Sequence, residues 1–142
     1  MATVHSLFRA AKKRLPMEEL REARAVADFG LEGCAHARAG ERQVLLIDRE
    51  TLEAMELRPG ILRENITTDG LNVNGLQPGQ LLQIGEARIQ VSGVCTPCDQ
   101  MEKIRPGLRK ELWGRRGMLA RVLEGGIIRP GDPIEKIPSD LA

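Results

Sequence analysis

The stretch Leu81-Leu82-Gln83-Ile84-Gly85-Glu86-Ala87-Arg88-Ile89-Gln90-Val91-Ser92-Gly93-Val94 decides the fold. Ala87, Ile89 and Val91 alternate with Arg88, Gln90 and Ser92, the period of a strand with one buried face. Leu81 to Ile84 reads as a second strand, and Gly85-Glu86 between them is the tight link of a hairpin. The hairpin runs directly into Cys95-Thr96-Pro97-Cys98-Asp99-Gln100-Met101-Glu102. Pro97 before a cysteine, with acidic and amide residues after it, predicts a loop turning into a helix whose first N–H groups surround the Cys98 sulfur. Such a setting favours thiolate over thiol.

Working outward, Thr3 to Phe8 reads as a first strand, Val44 to Ile47 as a buried strand, and Glu64 to Thr68 as a strand ended by the turn Asp69-Gly70. Met17 to Arg24 fits a helix opened by Pro16, while Glu22 to Asp28 fits a strand equally well, and the sequence does not separate the two. Asp48 can cap a helix from Arg49 to about Leu57, stopped by Pro59-Gly60. Pro106 can begin a second helix to about Trp113, ended by Gly114 and Gly117. Met118 to Leu123, Ile127-Ile128 and Asp132 to Ile137 close the chain as strands. Many short strands, glycine turns and few short helices predict one domain over residues 1–142, mainly β with short helices, folded as a compact barrel-like β structure.

Composition narrows the function. With 21 basic against 20 acidic residues the formal charge is +1, so no bulk field draws the chain to nucleic acid or membrane. One Trp, two Phe and no Tyr leave no aromatic platform for stacking bases. Met1 to Arg9 lacks the apolar core of a signal peptide, and no apolar run approaches membrane-spanning length, so a reducing, cytoplasmic setting is expected. Three cysteines in such a setting point to reactive or metal-bound thiols more than to a disulfide framework.

Cys95-x-x-Cys98 admits several chemistries. A thioredoxin-like dithiol needs a βαβ setting that a hairpin does not provide. Structural zinc could draw on Cys34, His36, Cys95 and Cys98, although Cys-x-His is tighter than usual zinc spacing and a domain this long has no need of a metal staple. A deaminase centre fails for want of a glutamate at the required offset from the histidine. A hydrolase with His36 or His5 as base lacks a nucleophile elbow. Cys34 and Cys95 fit packing roles as readily as chemical ones, and Arg105, Arg109, Lys110, Arg115 and Arg116 read as the solvated face of the second helix, which could also receive an acidic partner.

Several segments, in order, carry a resemblance. Gly30-Leu31-Glu32-Gly33 with His36, Arg42-Gln43-Val44, Glu64-Asn65-Ile66-Thr67-Thr68-Asp69-Gly70-Leu71, Gly79 to Ala87, Thr96-Pro97-Cys98 and Gly117 to Ile134 together resemble the MOSC domain, named for the C-terminal domain of molybdenum cofactor sulfurase. The resemblance implies a β-barrel fold and a cysteine, here Cys98, that carries sulfur as a persulfide or in some relatives binds molybdenum cofactor. A free-standing member would then be a sulfur carrier with sulfurtransferase-type activity, a cysteine desulfurase as donor and a metalloenzyme or cofactor as acceptor.

On this resemblance Cys95 is a resolving thiol, and His36, Arg42 and Arg121 supply charge or donors near the sulfur or around a phosphate. Gln43 and Asn65 then fix orientation by hydrogen bonds. No tightly bound cofactor is expected, with molybdenum cofactor (molybdopterin) as the candidate ligand. Many relatives carry Asp where this chain has Cys34 and Arg where it has Cys95, so the resemblance places two extra thiols about the same pocket.

Overall fold

The computed structural model describes residues 1–12, 15–35, 37–40 and 42–138. Its elements follow in the order β1 (Ala2–Arg9), β2 (Glu18–Leu20), β3 (Ala23–Val26), β4 (Gly30–Leu31), β5 (Val44–Asp48), α1 (Arg49–Ala54) and β6 (Ile66–Asp69). Then come β7 (Leu81–Ile84), β8 (Ala87–Val94), α2 (Leu108–Glu111), β9 (Met118–Glu124), β10 (Gly126–Ile128) and β11 (Pro133–Ile137). The protein is mainly β, as its alternating runs predict.

The β7–β8 hairpin has the expected register, Ile84 opposite Ala87 and Leu82 opposite Ile89. From it the large sheet runs β11-β7-β8-β9-β5-β6-β1-β2, and β11 also pairs with β1 through Ala2–Ile134 and Thr3–Pro133. That last pairing closes seven strands into a barrel, with β2 lying outside the ring against β1. Closure leaves the seven ring strands without the open edge that a flat sheet would end on. Among the described residues only β5 and β6 pair in parallel, because the connection between them crosses over through α1. A small sheet, β10-β3-β4, packs alongside.

Alternation sorts the side chains of β5 and β9. Val44, Leu46, Met118, Ala120 and Val122 point into the barrel, where they join Ile66, Leu82, Ile84, Ile89, Val91 and Ile134 in one buried cluster. Burying each of the larger side chains stabilises the fold by about 1.5–3 kcal/mol. Ile47 faces outward and is covered by a second cluster of Leu52, Met55, Leu62, Met101, Leu108 and Leu112, which glues the helices to the barrel wall. Between these covered regions the outward-facing Leu45 and Leu119 stand opposite each other in register.

Three local expectations need correction or resolution. The ambiguous segment from Met17 to Asp28 is two strands and no helix: Glu18, Glu19 and Leu20 pair with Arg9, Phe8 and Leu7, and strand pairing outweighs the helix-friendly glutamates. The helix expected after Pro97 is a five-residue 3-10 turn, Asp99–Lys103. The second helix is only Leu108–Glu111, and its start is fixed by the left-handed Gly107 and by Glu102, whose carboxylate accepts from the Gly107 and Arg109 amides. Asp48 does cap α1, accepting from the Thr51 amide at 3.1 Å and the Thr51 hydroxyl at 2.8 Å. Among the described residues no helix is long and apolar enough to cross a membrane.

Candidate functional site

The Leu45–Leu119 pair on the outer barrel face forms the floor of a cleft of about 400 Å³. Four guanidinium groups surround that floor: Arg38 and Arg42 from the loop ahead of β5, Arg63 ahead of β6, and Arg116 ahead of β9. Asn65, Cys95 and Gln100 complete the polar lining, and no carboxylate is among the described residues that line it. Among the described residues none of the four arginines pairs with an acidic side chain, although eight ion pairs occur elsewhere. The arrangement can take an anion and has little attraction for a cation.

Arg116 is the deepest of the four, only 6% exposed. Its Nη2 donates to the Leu62 carbonyl at 2.7 Å, while Nε and Nη1 are buried with no partner. Leaving donors of a charged group unsatisfied costs free energy unless a ligand accepts from them. The sequence placed Arg116 on a solvated helix face, and that expectation is wrong. The helix has already ended at Glu111, and the chain then turns at Gly114 and Gly117 to enter β9. Gly117 has φ +102, and a Cβ there would lie 2.3 Å from the Leu46 carbonyl oxygen, so only glycine lets the chain cross β5 this closely. That crossing tucks Arg116 behind the cleft.

Arg63 sits at φ +64, a left-handed conformation that side-chain-bearing residues seldom adopt, and its buried Nη2 also lacks a partner. Its other end is tethered, because Nη1 donates to the Leu15 carbonyl. Glu64, fully buried beside it, pins the same loop: one carboxylate oxygen accepts from the Gly60 amide and from the Thr67 hydroxyl, each at 2.8 Å. Burial pushes the Glu64 carboxyl up from its ordinary value, while these hydrogen bonds and the nearby Arg116 charge hold it back.

Asn65 joins three elements. Its Oδ1 accepts from the Leu45 amide at 3.0 Å, and its Nδ2 reaches the Phe8 carbonyl at 3.3 Å and the Cys34 sulfur at 3.4 Å. Gln43, also fully buried, donates to Asp28 at 3.1 Å and to the Gly40 carbonyl at 2.8 Å and accepts from the Val122 amide at 2.9 Å. Gln43 therefore ties the loop that carries Arg38 and Arg42 to β9 and does not itself line the cleft. Arg121, half-buried on β9 with its Nε unpartnered, shares the face of Leu119 but also lies outside the lining.

The three cysteines occupy three environments and none is in a disulfide. Cys34 is buried, its sulfur facing the Ala10 amide and Asn65 at 3.4 Å each. Cys95 is 7% exposed on the cleft wall, its amide bonded to the Gly117 carbonyl at 3.0 Å. Cys98 is exposed, heading the 3-10 turn that brings Gln100 to the cleft. A turn this short carries much less dipole than the helix the sequence suggested. Of the other predicted site residues, Arg42 and Asn65 line the cleft, and His36 lies outside the described residues. Among the described residues no three His, Cys, Asp or Glu side chains converge as a metal site.

Arg38, Arg63, Gln100 and Arg116 line the cleft without having been singled out as site residues in the sequence. Arg38 was within reach, since it lies in the glycine-rich loop, and Arg63 stands immediately before Glu64-Asn65.

The fold has solved counterparts. The YuaD protein from Bacillus subtilis superposes with a TM-score of 0.78 at 18% identity, over 94% of this chain and 93% of that one. YiiM from Geobacillus stearothermophilus gives 0.81 at 20% identity, over 97% of this chain and 76% of that one. YiiM from Escherichia coli gives 0.73 at 23% identity, over 97% and 70%. At these identities the likeness speaks for the fold alone. No curated protein matches the chain. A family model for the MOSC domain matches residues 28–135, a span that holds every arginine and cysteine of the cleft and its rim, and the chain belongs to the MOSC domain family.

Proposed function

We propose that this domain is a sulfur carrier that presents a persulfide on Cys98 beside a cleft that receives an anionic, phosphate-bearing acceptor of the molybdopterin class. The observation that carries the reading is the exposed Cys98 on the same loop as Cys95 and Gln100, which line a cleft together with four arginines that have no acidic partner among the described residues. The residues fit such an acceptor. Arg38, Arg42, Arg63 and Arg116 would hold phosphate and other anionic oxygens or sulfurs, and the two unpartnered Arg116 donors are satisfied only when something accepts from them. When bound, a molybdenum centre would supply the thiophilic atom that takes the sulfur.

Loading needs an accessible thiolate. Cys98 attacks the terminal sulfur of a desulfurase persulfide, a new S–S bond forms on Cys98, and the donor cysteine leaves as thiolate. Release can use Cys95: its thiolate attacks the Cys98 sulfur, the outer sulfur departs as sulfide, and two thiols are oxidised to a disulfide as the sulfane sulfur is reduced. The two electrons come from the two cysteine sulfurs and the negative charge leaves with the sulfide, so this step needs no outside oxidant or reductant.

The test is to incubate the protein with a cysteine desulfurase and cysteine and to measure intact mass. One cyanide-sensitive extra sulfur on wild type, absent in Cys98→Ala, is the expected result. No added sulfur, or equal loading of the variant, overturns the reading. A second reading, in which the cofactor stays bound and Cys98 is its ligand, is favoured by the depth of Arg116. Molybdenum and pterin that co-purify with the wild type and are lost in Cys98→Ala, with no sulfur loading, would establish it in place of the first.

A further inference from the structure

We infer that the cleft also accepts a small sulfur oxyanion of the thiosulfate class as sulfur donor, with Cys95 as the nucleophile that takes its outer sulfur. The inference rests on the sulfur-carrier reading and adds a second, low-molecular-weight donor to it. Its starting point is the difference between the two thiols of the Cys95–Cys98 loop. Cys98 is exposed and outside the cleft lining, suited to meeting another protein. Cys95 is 7% exposed and lines the cleft, a setting that suits a small anion better than a macromolecular persulfide.

The lining suits both the substrate and the leaving group of that exchange. Thiosulfate carries two negative charges, mostly on its sulfonate oxygens, and the guanidiniums of Arg38, Arg42, Arg63 and Arg116 face it without a competing carboxylate. Arg116, 6% exposed, has two donors with nothing to donate to, and Arg63 has one. Leu45 and Leu119 beneath them are apolar, so the charge is held in a partly dehydrated site where hydrogen bonds to it strengthen.

The chemistry balances without an added oxidant or reductant. The Cys95 thiolate, its proton lost to solvent, attacks the outer sulfur of thiosulfate. A Cys95 S–S bond forms, the bond from that sulfur to the sulfonate sulfur breaks, and its electron pair leaves with sulfite, which the same arginines hold as a dianion. The sulfane sulfur keeps its oxidation state, and Cys95 ends as a persulfide three residues from Cys98.

The test mixes reduced protein with thiosulfate, follows sulfite release, and locates the added sulfur by fragmenting the peptide that contains both cysteines. Sulfite stoichiometric with protein, the first added sulfur on Cys95, and loss of both in Cys95→Ser are the expected results. Arg42→Ala, whose side chain is exposed at the cleft rim, should raise the half-saturating thiosulfate concentration about tenfold. Because Cys95→Ser could disturb packing, the wild type carries an independent arm: sulfate, which has no transferable sulfur, should slow sulfite release competitively. No sulfite, sulfur found first on Cys98, or indifference to sulfate overturns the inference. Loading by a desulfurase but not by thiosulfate overturns it while leaving the sulfur-carrier reading standing, and loading by neither overturns both.

Discussion

The β5–β9 pair has two faces that the same residues build in alternation, and they have opposite physical characters. Inward, Val44, Leu46, Met118 and Ala120 pack in a fully apolar cluster. Outward, Leu45 and Leu119 form a floor ringed by charged groups with unsatisfied donors. The inner face lowers the free energy of the fold by removing apolar surface from water. The outer face keeps buried guanidinium donors of Arg63 and Arg116 without a partner, which an anion could accept from. Strand periodicity thus separates an apolar, stabilising surface from a cleft lined by arginines across a single layer of backbone.

The largest expected effect breaks that comparison on its inner side. Leu46→Ala removes a fully buried side chain from the barrel interior and should cost about 2–5 kcal/mol of unfolding free energy. Leu119→Ala, one face over and only partly buried, should cost clearly less, because the cleft already admits water there. Urea unfolding of both variants checks the ordering. Equal losses would mean that the cleft floor is as tightly packed as the core.

A smaller effect sharpens the outer side. If an anion is what satisfies Arg116, then phosphate at about a hundred times its dissociation constant should stabilise the wild type by about 2.7 kcal/mol. Arg116→Met should lose that stabilisation. Its stability without ligand should change less, because loss of the hydrogen bond to Leu62 is offset by removal of a buried, half-satisfied cation. Thermal unfolding of both proteins across a phosphate series reads the two quantities separately. Full phosphate protection of the variant would remove Arg116 from the site.

These two faces were not equally legible in the sequence. The inner face follows from local alternation in Leu81 to Val94 and from the buried run at Val44, so the barrel class could be read directly. Its closure through Ala2–Ile134 could not, because pairing the first strand with the last leaves no local pattern. The exposed Cys98 stood out from its motif and family resemblance as a candidate. The arginines were harder, since Arg38, Arg42, Arg63 and Arg116 come from separate loops and only the closed barrel assembles them. Arg116 even carried a misleading local signal, standing among surface-like basic residues just after a helix. Gln43 and Asn65 stood out as polar residues at strand mouths, but their function of tying strands and loops together depends on partners 15 to 79 residues away.

The smallest effect concerns how the outer face is held, and it has a definite sign. Glu64 is buried behind the cleft, and desolvation raises its pKa above 4.5 despite the Gly60 and Thr67 hydrogen bonds and the Arg116 charge. An acid whose pKa is raised on folding binds its proton more tightly in the folded state. Its contribution to stability is therefore complete below 4.5 and is lost as pH rises through the folded value. Asp69, held down mainly by its hydrogen bond with Arg49, and Glu102, held down mainly by the Gly107 amide, act with the opposite sign and lose their contributions on acidification. Comparing Glu64→Gln with wild type at each pH cancels those two. Glutamine can keep the oxygen that accepts from Gly60 and Thr67, and it places an amide where the other carboxylate oxygen has no partner. The variant should therefore gain on the wild type as pH rises from 4.5 through the folded value of Glu64, measured as the difference in unfolding free energy at matched pH. A difference that stays flat across that window would show that the Glu64 proton is not linked to folding, and a difference of opposite slope would show that Arg116 holds Glu64 charged more strongly than burial opposes it.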